Sequence, residues 1–553
     1  MSRLVGATLS HPFDYRRHYP SARLPVFARN MVATSHPLAA QAGLRMLAEG
    51  GSAADAVIAA AAAMTLVEPC SNGLGSDAFG IVWDGQRLQG LNASGRAPAA
   101  WTPAYFRQRH GEALSLPTRG WDAVTVPGMV AGWMALHQRL GRLPFERLMA
   151  PAVEIAERGY AVPVVVQQKW AAAARVESLV RQPGFAELFL PFGRPPAVGE
   201  RFAMPGAART LRAIGASGGE AFYRGEIAAA LAAASAAQGG RMTTADLACM
   251  AAEWVEPIAI DALGHRLHEI PPNGQGITAL IALGILRHFD LASMDPDGPE
   301  AAHLQIEAIK LAFADVYRHV AEPSAMSVSS ADMLDEHYLA DRARLIDPRR
   351  AQVFEAGTPG DVHRRGGTIY LCAADEQGMM VSWIQSNYMG FGSGVCLPEW
   401  GISLQNRGHG FSLQAGHPNL VAPGKRPFHT IIPGFLSDAD GAPRMAFGVM
   451  GANMQPQGHV QTLVRMLAHH QHPQAACDAP RWRFNQGLSI NTESHWPTAT
   501  VAALAERGHQ VEPISDSYQD FGAGQFIWRQ GEAAVDGYVA ASDPRRDGAA
   551  VGF

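Results

Sequence analysis

Charge is scarce in this sequence. Acidic and basic residues together make up 17% of its 553 positions, and the formal net charge is only -5. The two signs are interspersed, and no basic block occurs that would suit a nucleic acid or an anionic membrane surface. Cysteine is scarce too: Cys70, Cys249, Cys372, Cys396 and Cys477 are scattered, odd in number and form no C-x-x-C. That usage excludes a disulfide framework and fits a reducing compartment. Long apolar runs are missing. The longest, Ala56 to Val67, falls short of the roughly 20 residues that span a bilayer. Residues 1–20 carry arginines but no apolar core of a secretory signal. The expectation is a soluble, cytoplasmic protein with neither nucleic-acid nor membrane partners.

What is present is nearly half hydrophobic, enough for a large core. Ser35 is placed to cap a helix over 38–47, and Ser52 to cap an alanine-rich helix reaching Val67. The run Gly73-Leu74-Gly75-Ser76-Asp77-Ala78 superficially matches a dinucleotide fingerprint. It follows a helix and precedes a strand, the wrong context, and reads as a tight turn. Arg96 lies among small loop residues, either as a solvated charge or as a carboxylate clamp. Residues 254–270 read as strands broken by Gly264, and 301–320 as a long amphipathic helix. The polar stretch 321–365 reads as a mobile approach to the glycine pair at 366–367. His469, His470 and His472 close a helix, where they complement its dipole better than they suggest a metal; no H-E-x-x-H occurs. No metal or cofactor is expected.

The stretch with chemistry in it is a hairpin. Gly366-Gly367 runs into Thr368 and a β-rich segment to Ala374. A turn lies at 375–379, and a second β-rich segment reaches Ser386. Threonine is a poor nucleophile without a base. A chain-terminal threonine carries its own base, an α-amine with a pKa near 8. Scission of Gly367–Thr368 would therefore convert an inert hydroxyl into a nucleophile, and glycine tolerates the backbone strain that scission needs. An odd-numbered turn puts Ser386 opposite Thr368; a slip of one residue puts Gln385 there. Gly451-Ala452 precedes a helix and offers backbone N–H groups to an oxyanion. An ordinary edge hairpin and an ordinary strand-to-helix turn remain the alternatives on residue patterns alone.

The chain resembles the gamma-glutamyltransferase family of N-terminal-nucleophile hydrolases over nearly its whole length. The resemblance is carried by Met31-Val32-Ala33-Thr34 through Gly50-Gly51-Ser52-Ala53-Ala54-Asp55, by Val126-Pro127-Gly128, by the Phe222–Ala228 run, and by the Glu307/Lys310/Asp315 helix. Thr368, Phe391-Gly392-Ser393-Gly394 and Lys425-Arg426-Pro427 complete it. It implies an α/β, four-layer αββα sandwich made from one precursor and cut into a large subunit, 1–367, and a small subunit, 368–553. A dimer of such heterodimers is an open alternative. It implies Thr368 as nucleophile, Ser386 as its orienting hydroxyl, and Gly451 and Ala452 as oxyanion donors. It also exposes departures in the acyl pocket. Gly410 stands where gamma-glutamyl enzymes carry the aspartate for the substrate α-amine. Tyr388, Arg407, His429 and Thr430 replace other binding residues, and Arg96 is nearest to the family's carboxylate-clamping arginine. The segment between Phe411 and His429 looks shorter than the family's lid. A pocket that loses an acid and gains Arg407 and His429 should take a carboxylate without an α-amine. The leading expectation is an autoprocessed amidohydrolase of small carboxylated amides, oxamate-like compounds first. A true gamma-glutamyl hydrolase or transferase and an unprocessed anion-binding pseudoenzyme are the alternatives.

Overall fold

A computed structural model describes residues 22–354, 366–515 and 521–553. Two seven-stranded antiparallel sheets lie face to face. The first runs Ala549–Gly552, Met31–Thr34, Gly366–Ala374, Met380–Met389, Asp77–Trp83, Leu88–Ala93 and Glu253–Val255. The second runs Val26–Ala28, Tyr538–Ser542, Ala523–Arg529, Pro443–Met450, Gly434–Asp438, His265–Glu269 and Ile258–Ala262. Between them Phe79, Ile81, Tyr370 and Ile384 of one sheet meet Phe435, Ala446 and Ile527 of the other in a fully buried layer. Alternation sets this up: Ile369 and Leu371 point away from that layer, into the core beneath the outer helices. Those helices include Ala53–Val67 and Met129–Leu140 on one side, and Ile277–Leu286, Pro299–His319 and Met454–Leu467 on the other. The result is the four-layer αββα sandwich of N-terminal-nucleophile hydrolases.

Residues on both sides of position 368 contribute strands to both sheets, so neither stretch owns a core. The helix Ala53–Val67 shows why the sequence folds this way. Ser52 and Asp55 form a reciprocal capping box, and all fifteen residues are buried. It contains the apolar run that is too short to span a bilayer, and among the described residues no helix is long and apolar enough to do so. Two expectations change. Of the stretch 321–365, the part up to 354 is partly ordered: Glu336–Ala343 is a helix that buries Leu339 and Ala343 against Ile277–Leu286. Residues 355–365 lie outside the described residues. His472 does not serve the preceding helix; its Nδ1 accepts from Ala475 N–H at 3.1 Å and caps the next one.

Candidate active site

The hairpin turn fixes the surroundings of Thr368. Ala374 pairs with Met380, leaving the five-residue loop 375–379, and the register holds through Ile369 and Gln385. The ladder then shifts, and Gly367 pairs with Tyr388. Thr368 therefore sits at a bulge, a local kink common beside active sites. Its Oγ1 lies 3.2 Å from Ser386 Oγ, the partner that the odd-numbered turn anticipates. Gln385 faces away, donating to Ala61 O and Asn72 Oδ1. Ser386 pairs on its other side with Asp77. Directly opposed residues share a face, so Thr368, Ser386 and Asp77 form a row across three strands, about 10 Å end to end. All three are buried.

The second sheet supplies the facing wall. Gly448 lets the Tyr370 ring approach so closely that a Cβ would lie 2.5 Å from it. Three residues on, Gly451 and Ala452 adopt φ of 124° and 53° before the helix at Met454. Both carbonyls are engaged, Gly451 O by Met454 N–H and Ala452 O by Gln455 N–H. Neither residue's N–H has an acceptor among the described residues. Alanine at φ 53° is uncommon and strained, so the backbone shape suited to glycine persists without it. Gln275 Nε2 ties this turn to the strand-entry loop at Thr430, donating to Ala452 O at 3.0 Å and Thr430 O at 2.6 Å.

Arg407 is the pocket's central group. It is 1% exposed, and burial pushes its pKa down to about 10. Nη1 donates to Thr430 Oγ1 at 2.7 Å, and the guanidinium stacks over the Tyr388 ring at 4.6 Å. Among the described residues Nε and Nη2 have no partner. Tyr388 is held at φ 76°, with its N–H donating to Ser386 Oγ at 2.7 Å, so one strained residue links the nucleophile's partner to the guanidinium. A buried cation with an open hydrogen-bonding edge is expensive to maintain unless a ligand completes it.

Two expected pocket residues sit differently. Arg96 is committed elsewhere: it donates to Glu322 Oε1 at 2.6 Å, Glu253 Oε1 at 2.9 Å and Gly424 O at 3.0 Å. His429 adds no charge. Burial and the neighbouring Arg407 and Arg426 hold its pKa well below the usual histidine range. Its Nδ1 accepts from Ile431 N–H, so Nε2 carries the proton and donates to Asp77 Oδ2 at 3.3 Å. Thr430, next in the chain, is the brace for Arg407.

Sequence patterns miss Asp77. It closes the glycine turn that mimics a nucleotide motif, and its partners come from distant loops. Oδ1 accepts Gly128 N–H at 3.0 Å and is also reached by Gly95 N–H. Both loops come this close because both donors are glycines: a Cβ would lie 1.6 Å from Val126 O at position 95 and 2.1 Å from Ala93 O at position 128. Elsewhere, His303, Glu307 and His509 bring three ligand-type atoms within 4.8 Å. Lys310 Nζ already sits 2.6 Å from Glu307 Oε1, and with Gln352 N–H on Glu307 Oε2 the group fits a buried polar joint better than a metal site.

Two paired hydroxyls on adjacent strands, facing a turn whose N–H groups have no acceptor among the described residues, on an αββα frame, fit an amidohydrolase of the N-terminal-nucleophile class. The sequence profile described as gamma-glutamyltranspeptidase matches residues 39–553, and the chain belongs to that family. It is 37% identical over 543 residues to an oxamate amidohydrolase proenzyme of Klebsiella pneumoniae, covering 96% of this chain and 99% of the other. It is 33% identical to an acylase ACY 1 proenzyme of a Pseudomonas species, over 88% and 87% of the two chains. Among solved structures, a cephalosporin acylase from Bacillus halodurans superposes with a TM-score of 0.92 at 46% identity, over 98% of this chain and 99% of that one.

Proposed function

We propose that this enzyme cuts its own Gly367–Thr368 bond and then hydrolyses the amide of a small acyl compound bearing a carboxylate, oxamate-like compounds first. The observation that carries this reading is the open edge of Arg407, whose guanidinium stacks on Tyr388, the residue whose N–H donates to Ser386 Oγ beside Thr368. In processing, Thr368 Oγ1 attacks the Gly367 carbonyl carbon, the C–N bond breaks, and water hydrolyses the resulting ester. The products are a Gly367 carboxylate and a Thr368 α-amine. In turnover, that amine takes the hydroxyl proton as Oγ1 attacks the substrate carbonyl. The N–H groups of Gly451 and Ala452 receive the oxyanion. The substrate's amine takes its proton and leaves, and water then releases the acid. Arg407 Nε and Nη2 pair with the substrate carboxylate in the forked geometry that guanidinium favours.

The gamma-glutamyl alternative lacks its ammonium partner. At Gly410 a Cβ would meet Phe428 O at 2.5 Å, so the backbone there has closed over the space an aspartate would need. Hydrolysis rather than transfer is favoured by the segment after Gly410. Phe411, Leu413 and Val421 bury with Trp101, Phe106 and Leu116 in a small core of their own, and Asn419 ties Gly410 O to Phe428 N–H. The relatives described as oxamate amidohydrolase and as cephalosporin acylase agree with a carboxylated amide. The test is denaturing electrophoresis with N-terminal sequencing, followed by ammonia release from oxamate. Two fragments, the smaller beginning at Thr368, are expected. Thr368→Ala should stay whole and inactive; a Thr368→Ala chain that is still cut at Gly367 would sink the mechanism.

A further inference from the structure

Asp77 brings a carboxylate into this pocket, yet among the described residues none of its hydrogen bonds goes to Arg407. Gly95 and Gly128 N–H groups and His429 Nε2–H occupy its oxygens. Arg407 in turn gives its one protein hydrogen bond among the described residues to Thr430. The two attract through space, and each favours the charged form of the other. Arg426, the other guanidinium within reach, is balanced by Glu253 at 2.9 Å. The pocket is thus close to neutral in charge but unsatisfied in hydrogen bonds.

We propose that Asp77 is a specificity-determining residue of the acyl pocket: an internal counter-anion that competes with a substrate carboxylate for Arg407 while leaving the guanidinium's donor edge open. The inference rests on the carboxylate reading of Arg407. Its physical content is a trade. Without Asp77 the empty site would hold an uncompensated buried cation, and a carboxylate product would leave slowly. With Asp77 in place an entering carboxylate shares the guanidinium, so it gains forked hydrogen bonds but only part of the charge attraction. Neutral acyl groups do not feel the competition. Asp77 also acts on position: by accepting from Nε2–H it holds His429 in one tautomer and orientation, and residue 430, the brace of Arg407, follows directly in the chain.

The experiment uses oxalate, a carboxylate with no amide to cut, as a competitive inhibitor of the processed enzyme. Oxamide serves as the neutral control. In Asp77→Asn the oxalate inhibition constant should fall about tenfold, and oxalate should raise the thermal midpoint more than it does in the parent enzyme. The oxamide response should not move. A merely structural role would lower stability without sharpening the response to the anion. Asparagine must present its amide to His429 in a new way, so Asp77→Ser, which keeps an acceptor without the charge, should shift oxalate in the same direction. If Arg407→Met abolishes oxalate competition but neither Asp77 variant tightens it, the Asp77 proposal falls while Arg407 keeps its role. If oxalate fails to compete in the parent enzyme and Arg407→Met changes nothing, the carboxylate reading falls and takes this inference with it.

Discussion

Two buried guanidinium groups in this molecule invite comparison. Arg545 and Arg407 are both almost inaccessible. Every donor group of Arg545 is used: Nε reaches Glu493 Oε1 at 2.7 Å, Nη1 reaches Cys477 O and Asp543 Oδ1, and Nη2 reaches Ala479 O and Glu493 Oε2. Arg481 shares Asp543 from the other side at 2.6 Å. Among the described residues the Arg407 guanidinium has one hydrogen bond, an aromatic face and a carboxylate it does not touch. Equal burial with unequal satisfaction separates architecture from binding. The fully used Arg545 joins the 477–493 region to residues 543–545. An incompletely used guanidinium keeps donors in reserve, and a protein tolerates that desolvation cost only where something else supplies the acceptor.

The comparison breaks most sharply at Arg545. Arg545→Met leaves Glu493 and Asp543 buried without their main partner, and should cost about 3–5 kcal/mol of stability. Denaturant unfolding measures this directly; a loss below about 1 kcal/mol would show that the cluster is not structural. Arg407→Met should do the reverse. Unfolding should change by no more than about 1 kcal/mol, since an unsatisfied cation is removed and Asp77, whose pKa burial already pushes up to about 6, takes up a proton once its counter-charge is gone. KM for a carboxylated amide should rise about 100-fold, the worth of a forked charged pair of roughly 2.7 kcal/mol. A variant that loses stability but keeps KM would place Arg407 with Arg545.

Much of the geometry around Thr368 is legible in the sequence because it is local. Thr368 and Ser386 are eighteen positions apart, and a five-residue turn with strict alternation decides which hydroxyl faces which. The capped helix after Ser52 is legible for the same reason. The acyl pocket is not. Asp77 meets Gly128 across 51 positions and His429 across 352, and only the close approach of two glycine loops makes that meeting possible. Neither Arg96 nor Arg407 lies in an α-helix or a strand. What distinguishes them is whether Glu253 and Glu322 arrive nearby, which no local pattern encodes. The helix within 321–354 escapes a pattern reading because its apolar positions are few, and Leu339 and Ala343 are enough when a preformed helix receives them.

Acid should separate the two sites by sign. Asp543 is the simpler case. Arg481 and Arg545 outweigh its burial and bring its pKa down to about 2, against 3.8 for an unperturbed group. A depressed folded value stabilises above the unfolded pKa, so this contribution, about 2 kcal/mol, is lost as pH falls from about 4 through 2. Asp77 runs the other way. Burial dominates over its glycine donors and over Arg407 and Arg426, and pushes its pKa up to about 6. Of the other titratable groups beside it, His429 is held well below the usual histidine range by burial and the nearby guanidinium groups, and burial raises Tyr223. A raised carboxylate costs stability once ionised, so stability is fullest below about pH 4 and falls as pH rises through 6, by about 2 to 3 kcal/mol. Chemical denaturation across this range, comparing the parent with Asp77→Asn and Asp543→Asn, isolates each group. The first variant should flatten the loss between about pH 4 and 6, and the second the loss between about 4 and 2. Parallel curves for parent and Asp77→Asn would mean that Arg407 compensates Asp77 fully, and the two buried clusters would then be alike in charge as well as in burial.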